Sequence, residues 1–135
     1  MTAAFDPGPP IGYQAAGDWL GAFVRAELAN DGDAFVALFT EDAELQSDPF
    51  DAPLTGSNAI RAYLGTLVRT EAQLDLTVER HWVSGATILA AWHATFVRSA
   101  DRAHLRQAGI LTAEIRSGRC ARLRLWTVTR QPATG

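Results

Sequence analysis

The feature that most constrains this chain is a change of hydrophobic period near residue 73. Before it, apolar side chains recur at helical spacing; after it, they alternate nearly to the end. Leu74, Leu76 and Val78 alternate with Asp75, Thr77 and Glu79 and lead to a turn at Ser84-Gly85. A second strand is predicted over 86–98 and a third from about 103 to 116. Ser117-Gly118 makes the next turn, and a last strand runs from Cys120 to about Arg130. Each strand has ten or more residues, longer than usual. Antiparallel strands of that length stay soluble by curling, and a curled sheet with helices on one face encloses a cavity.

Upstream, residues 1–15 carry three prolines and two glycines and read as a flexible N-terminal arm. Asp18 is placed to cap a helix in which Trp19, Leu20, Phe23, Val24 and Leu28 share a face, ending at Asn30-Asp31-Gly32. Asp33 then caps a short helix carrying Phe35, Val36, Leu38 and Phe39. Residues 43–47 alternate weakly as a short strand, and the two prolines of 47–53 make a loop. Ser57 caps a third helix, where Ile60, Tyr63, Leu64, Leu67 and Val68 give the clearest helical periodicity in the chain. The expected organisation is a single domain over 16–131, with a C-terminal tail at 132–135.

Composition enters as a filter. With 135 residues, 47% apolar and 20% charged, the chain can bury a core and is not a disordered segment. No apolar run approaches the roughly 18 residues a membrane span needs, and MTAAFDPGPP has no basic and apolar signal segment. Cys120 is the only cysteine, so no internal disulfide forms and a cytoplasmic location without membrane attachment is expected. A net charge of −3 gives no electrostatic reason to bind nucleic acid. The charge is uneven: residues 1–79 hold three Arg against thirteen acids, residues 80–135 nine Arg against two. Either the two halves neutralise each other, or the Arg-rich half meets an anionic partner. His81, His93 and His104 share no metal-ligand spacing with each other or with Cys120, so no metal and no cofactor is expected.

The order of elements resembles the NTF2-like superfamily, and within it the SnoaL-like branch. The resemblance rests on Ala37-Leu38-Phe39-Thr40-Glu41-Asp42-Ala43, Asp48-Pro49-Phe50, Gly56 with Ile60, and Gly118-Arg119-Cys120 before the last strand; it covers roughly 18–130. It implies an α+β, cystatin-like cone. Three N-terminal helices would pack on a strongly curved antiparallel sheet enclosing a pocket, with dimers often formed through the outer sheet face. Such families include ketosteroid isomerases, polyketide cyclases, epoxide hydrolases, dehydratases and non-catalytic binding modules, so fold alone does not fix function.

By that resemblance Asp48 stands where isomerases keep their proton-shuttling carboxylate, with one extra loop residue at Gln46-Ser47; its other reading is a cap of its own Asp-Pro turn. Tyr63 and His81 are the further catalytic candidates, the first as a phenol donor, the second as a base if the strand register turns it inward. The isomerases' oxyanion donors align with Phe23 and Leu111, which donate nothing. Parity and the family match give the expected pocket lining: Trp19 and Phe23 on the helical side, Phe39 and Phe50 as the apolar surround of Asp48, and Trp92, Ala94 and Phe96 on one strand. Leu111 and Ala113 follow on the next strand, then Leu123, Leu125 and Thr127 on the last, although plain core packing explains such residues equally well. Opposite parity sends Arg124 and Trp126 outward, to a homodimer interface or an ordinary surface with snorkelling arginines.

The expected function is therefore binding of a small apolar molecule, polycyclic or aromatic in the first instance. In the enzymatic version Asp48 acts as general acid/base in a cyclase-, isomerase- or hydratase-type step; the alternative is a non-catalytic ligand-binding or dimerisation module. An epoxide hydrolase is disfavoured, because after residue 79 the only acids are Asp101 and Glu114.

Overall fold

The computed structural model describes residues 9–131, so the expected tail and most of the N-terminal arm lie outside the described residues. The chain runs α1 (Tyr13–Leu28), α2 (Gly32–Val36), β1 (Phe39–Gln46), β2 (Leu54–Thr55), α3 (Ser57–Thr70), β3 (Glu71–Ser84), β4 (Thr87–Arg98), β5 (His104–Arg116) and β6 (Arg119–Arg130). The six strands form one open sheet in the order β2-β1-β6-β5-β4-β3. All neighbours are antiparallel except β1 and β6, which run parallel. The helices cover the concave face, giving an α+β architecture of helices on an open sheet.

The four long strands lie where period two places them, and the turns use left-handed backbone at Gly85, Ser117 and Gly118. The helix starts differ from expectation in each case. α1 begins at Tyr13 with Gly12 as N-cap, which leaves Asp18 exposed inside the helix. The earlier start is held by the sheet: Ile11 N–H donates to the Gly85 carbonyl at 2.9 Å, and the Tyr13 ring stacks on His81 at 4.0 Å. The cap of α2 is Asp31, whose carboxylate accepts the Ala34 N–H at 3.1 Å, while Asp33 lies in the first turn and pairs with Arg61. α3 is capped by Gly56 at φ 92°, with Ser57 already helical. Phe39 leaves the second helix for β1, because Cys120 N–H donates to Leu38 O at 2.8 Å and the β1–β6 pairing starts there.

Register sets which side chains face the helices. Rows cross the sheet as Ile88–Ala113–Leu123, then Ala90–Leu111–Leu125, then Val78–Trp92–Gly109–Thr127, then Leu76–Ala94–Gln107–Thr129. In β3 the register shifts between Val78 and Arg80, so the inward positions are 74, 76 and 78 before it and 81 and 83 after it. The packed core gathers around Phe35, Leu45, Ile60, Leu64, Ile88 and Leu123, all essentially buried. Phe23, Phe35 and Phe39 lie within 5.3–5.5 Å along this cluster, Trp19 sits edge-on to Phe39 at 6.1 Å, and Trp19 Nε1–H donates to Leu38 O at 3.2 Å. Among the described residues no helix is long and apolar enough to cross a membrane.

Candidate functional site

Towards the start of β3 and the end of β6 the helices stand off the sheet, leaving a cavity of about 330 Å³. That is within the range of small-molecule sites. Its floor is built from the last two rows of the sheet and from Leu111 and Leu125 beside them. The walls are Leu74, Leu76 and Val78 of β3, Phe23 and Val24 of α1, and Leu67 of α3. Polar groups enter in three places: Glu27, Tyr63 and Glu71 from α1, α3 and β3; Ser47 and Asp48 from the loop after β1; and Gln107 with Thr127 and Thr129 on the sheet. Gln107 Nε2 donates to Thr129 Oγ1 at 3.2 Å.

The helix spacing explains Glu27. Positions 16, 20, 23 and 27 lie on one stripe, and Ala16, Leu20 and Phe23 bury it against the sheet. Glu27, one helical turn beyond Phe23, is carried into the same apolar surround. Burial, and then the carboxylate of Glu71, push its carboxyl up to about 7. The C-terminal end of α1 acts in the same direction. Burial likewise raises Glu71 above the ordinary carboxylate range. The Tyr63 phenol is held far above its usual value, first by burial and then by the two carboxylates. Among the described residues neither carboxylate takes part in an ion pair or hydrogen bond.

Trp92 forms part of the floor and is 8% exposed, and its indole N–H has no acceptor among the described residues. Its ring lies across β5 over Gly109, where an added Cβ would stand 2.9 Å from Trp92 Cζ2. A side chain there would collide first with the Trp126 backbone carbonyl and then with the indole, so both neighbours demand glycine.

The cavity gathers Asp48 and Tyr63, with Phe23, Trp92, Leu111 and Leu125 from the expected lining. Asp48 is at its rim, exposed, and accepts the Phe50 N–H at 2.9 Å, so one carboxylate oxygen closes its own turn. His81 differs from expectation. The register shift in β3 does turn it inward, but under the first turns of α1, where its Nε2 sits 3.1 Å from Tyr13 O, outside the cavity lining. Trp19, Phe39, Ala113 and Leu123 differ too: they are buried in the core but do not line the cavity, because α1 and α2 fill that end of the concave face. Phe96, paired with Leu105, is buried beyond the cavity floor. Phe50, in the proline loop, points away and is 96% exposed. Arg124 and Trp126 lie on the outer face. Arg124 stacks its guanidinium 5.2 Å from the Trp126 ring and donates to Gln46 Oε1 at 2.9 Å.

Glu27 and Glu71 were not anticipated as site residues. The signal was present for Glu27, a charged residue on the apolar stripe of α1. Glu71 had none, since it begins a strand whose first residues face neither side regularly: Gln73 adopts φ 54° within a register shift. Among the described residues no three of His, Cys, Asp and Glu are grouped to hold a metal ion.

The Δ5-3-ketosteroid isomerase of Mycobacterium sp. has a similar fold, at 15% identity over 86% of this chain and 98% of that one, with a TM-score of 0.72. A candidate SnoaL-like polyketide cyclase from Shewanella denitrificans is similar at 11% identity over 84% and 90% (TM-score 0.74). An NTF2-like protein of unknown function from Burkholderia pseudomallei is similar at 13% identity over 83% and 89% (TM-score 0.73). No curated protein sequence matches this one. The sequence profile of the SnoaL-like domain matches residues 20–123, and the chain belongs to that family.

Proposed function

We propose that this SnoaL-like domain binds a small, largely apolar molecule in the 330 Å³ cavity and moves a proton on it without a cofactor, in a cyclase-, isomerase- or hydratase-type step. The observation that carries the reading is a carboxyl group, Glu27, poised at about 7 inside an apolar cavity. A general acid/base works best when its pKa lies near the working pH. Tyr63 is the neighbouring phenol donor, and Asp48 at the rim is a second carboxylate within the same lining. Phe23 and Leu111 present only carbon to the cavity, which argues against the ketosteroid isomerase donor set and for a different substrate geometry. The test begins with quenching of tryptophan fluorescence by a panel of cyclic ketones, quinones and epoxides. Once a substrate is found, Glu27→Gln should lower kcat at least about a hundredfold. Unchanged kcat in that variant would remove proton transfer by Glu27, and Asp48→Asn would then report on the rim carboxylate.

A homodimer through the outer face fits one further observation. Ile110, Trp126, Val128 and Phe50 are all exposed around one shallow groove there. Sedimentation should give a dimer for the wild type and a monomer for Trp126→Ala; a monomeric wild type removes this assignment.

A further inference from the structure

The cavity's polar groups narrow what it can hold. Of the described residues lining it, three are acids (Glu27, Asp48 and Glu71) and none is a base, in a chain with twelve arginines. Glu27 and Glu71 come from different elements and have no cationic partner among the described residues. The rings of Phe23, Tyr63 and Trp92 line the same space, and aromatic faces attract cations. Independently, the Trp92 indole N–H sits on a side chain more than nine-tenths buried in the cavity floor and has no acceptor within the described chain. With no protein acceptor, that donor is left to an occupant of the cavity, water or ligand, that carries an acceptor atom.

Building on the reading that this cavity binds a small apolar molecule, we infer that its ligand is an apolar amine, held as the ammonium ion by Glu27 and Glu71 with an oxygen acceptor on the same skeleton meeting Trp92. A neutral apolar ligand would leave Glu27 protonated beside Glu71. An ammonium ion lets both carboxylates ionise. The groups facing Glu27 are Tyr63 from α3 and Glu71 from β3, with Asp48 at the rim. Among the described residues β4, β5 and β6 present no ionisable side chain to the cavity. Binding therefore displaces the proton that Glu27 carries below about 7.

The probes are an isosteric pair, 4-(dimethylamino)cyclohexanone and 4-isopropylcyclohexanone, titrated calorimetrically at pH 6 and pH 8 in buffers of different ionisation enthalpy. The amino ketone should bind more tightly than its neutral analogue. Its affinity should rise about tenfold from pH 6 to pH 8, as the fraction of ionised Glu27 grows, with proton release near pH 7. Glu27→Gln should abolish both the pH dependence and the preference for the amine, weakening the amino ketone by about thirtyfold at pH 8. Trp92→Phe should weaken both ketones alike. If 4-isopropylcyclohexanone binds as well or better at both pH values, or if Glu27→Gln keeps the preference for the amine, the ammonium site is overturned while the apolar cavity stands. If neither probe binds, the cavity reading falls with it.

Discussion

The concave face has two ends built from the same alternating strands and with opposite outcomes. Towards the Ser84-Gly85 turn, the row Ile88–Ala113–Leu123 meets Phe35, Phe39 and Trp19 and the space is filled. Towards the start of β3, the rows containing Trp92 and Ala94 meet Phe23, Glu27 and Tyr63 and leave about 330 Å³. Both ends are apolar on the sheet side, so sheet pattern does not decide between them. What differs is the helical side: the rings of Phe35 and Phe39 interlock at 5.3 Å at one end, and groups that cannot be sealed into hydrocarbon without a partner stand at the other. A charged side chain on an apolar helix stripe is thus the marker of the hollow end, and the shared β alternation is not.

The largest expected effect lies at the filled end. Phe35→Ala removes a fully buried ring from the packed cluster and should cost about 3–5 kcal/mol in chemical denaturation. A cost under about 1 kcal/mol would mean that this end is as loosely packed as the other. Next comes Glu27. Its folded carboxyl titrates above the unfolded value of 4.5, so its stability contribution is whole below that pH and is lost as pH rises towards 7. The wild type should weaken across that window by up to roughly 3 kcal/mol and then level off, with Glu71 adding in the same direction. Glu27→Gln should flatten most of this slope and be the more stable protein at pH 8; an unchanged slope would place the buried charge elsewhere. The smallest effect belongs to Leu125→Ala, on the cavity floor. Because it enlarges an existing space, it should cost about 1 kcal/mol, well below Phe35→Ala. Equal costs at the two positions would erase the contrast between the ends.

Much of the fold was legible because period-two alternation and Gly turns are local signals, and β3 to β6 follow them closely. The helix starts were not, since contacts distant in sequence moved them: Gly85 and His81 hold the first turn of α1, and the Leu38–Cys120 contact takes Phe39 into β1. His81 turns on a single register shift between Val78 and Arg80, which no side-chain pattern announces. The cavity lining was half legible. Parity finds Trp92, Leu111 and Leu125, but it equally selects Ala113 and Leu123, because a face says nothing about how far the opposing layer stands off. Glu27 was visible as a breach of pattern on α1, and such breaches are where function is to be sought.

The hollow end holds a carboxyl group kept from ionising by its surroundings. The direct measurement is a carbon-13 NMR titration of the Glu27 side-chain carboxyl in the ligand-free protein, repeated in Glu71→Gln. The midpoint should lie near 7 and fall in the variant yet stay above 4.5, because burial outweighs the Glu71 charge. A wild-type midpoint at the ordinary value of about 4.5 would contradict it, for Glu27 would then be a solvated surface acid.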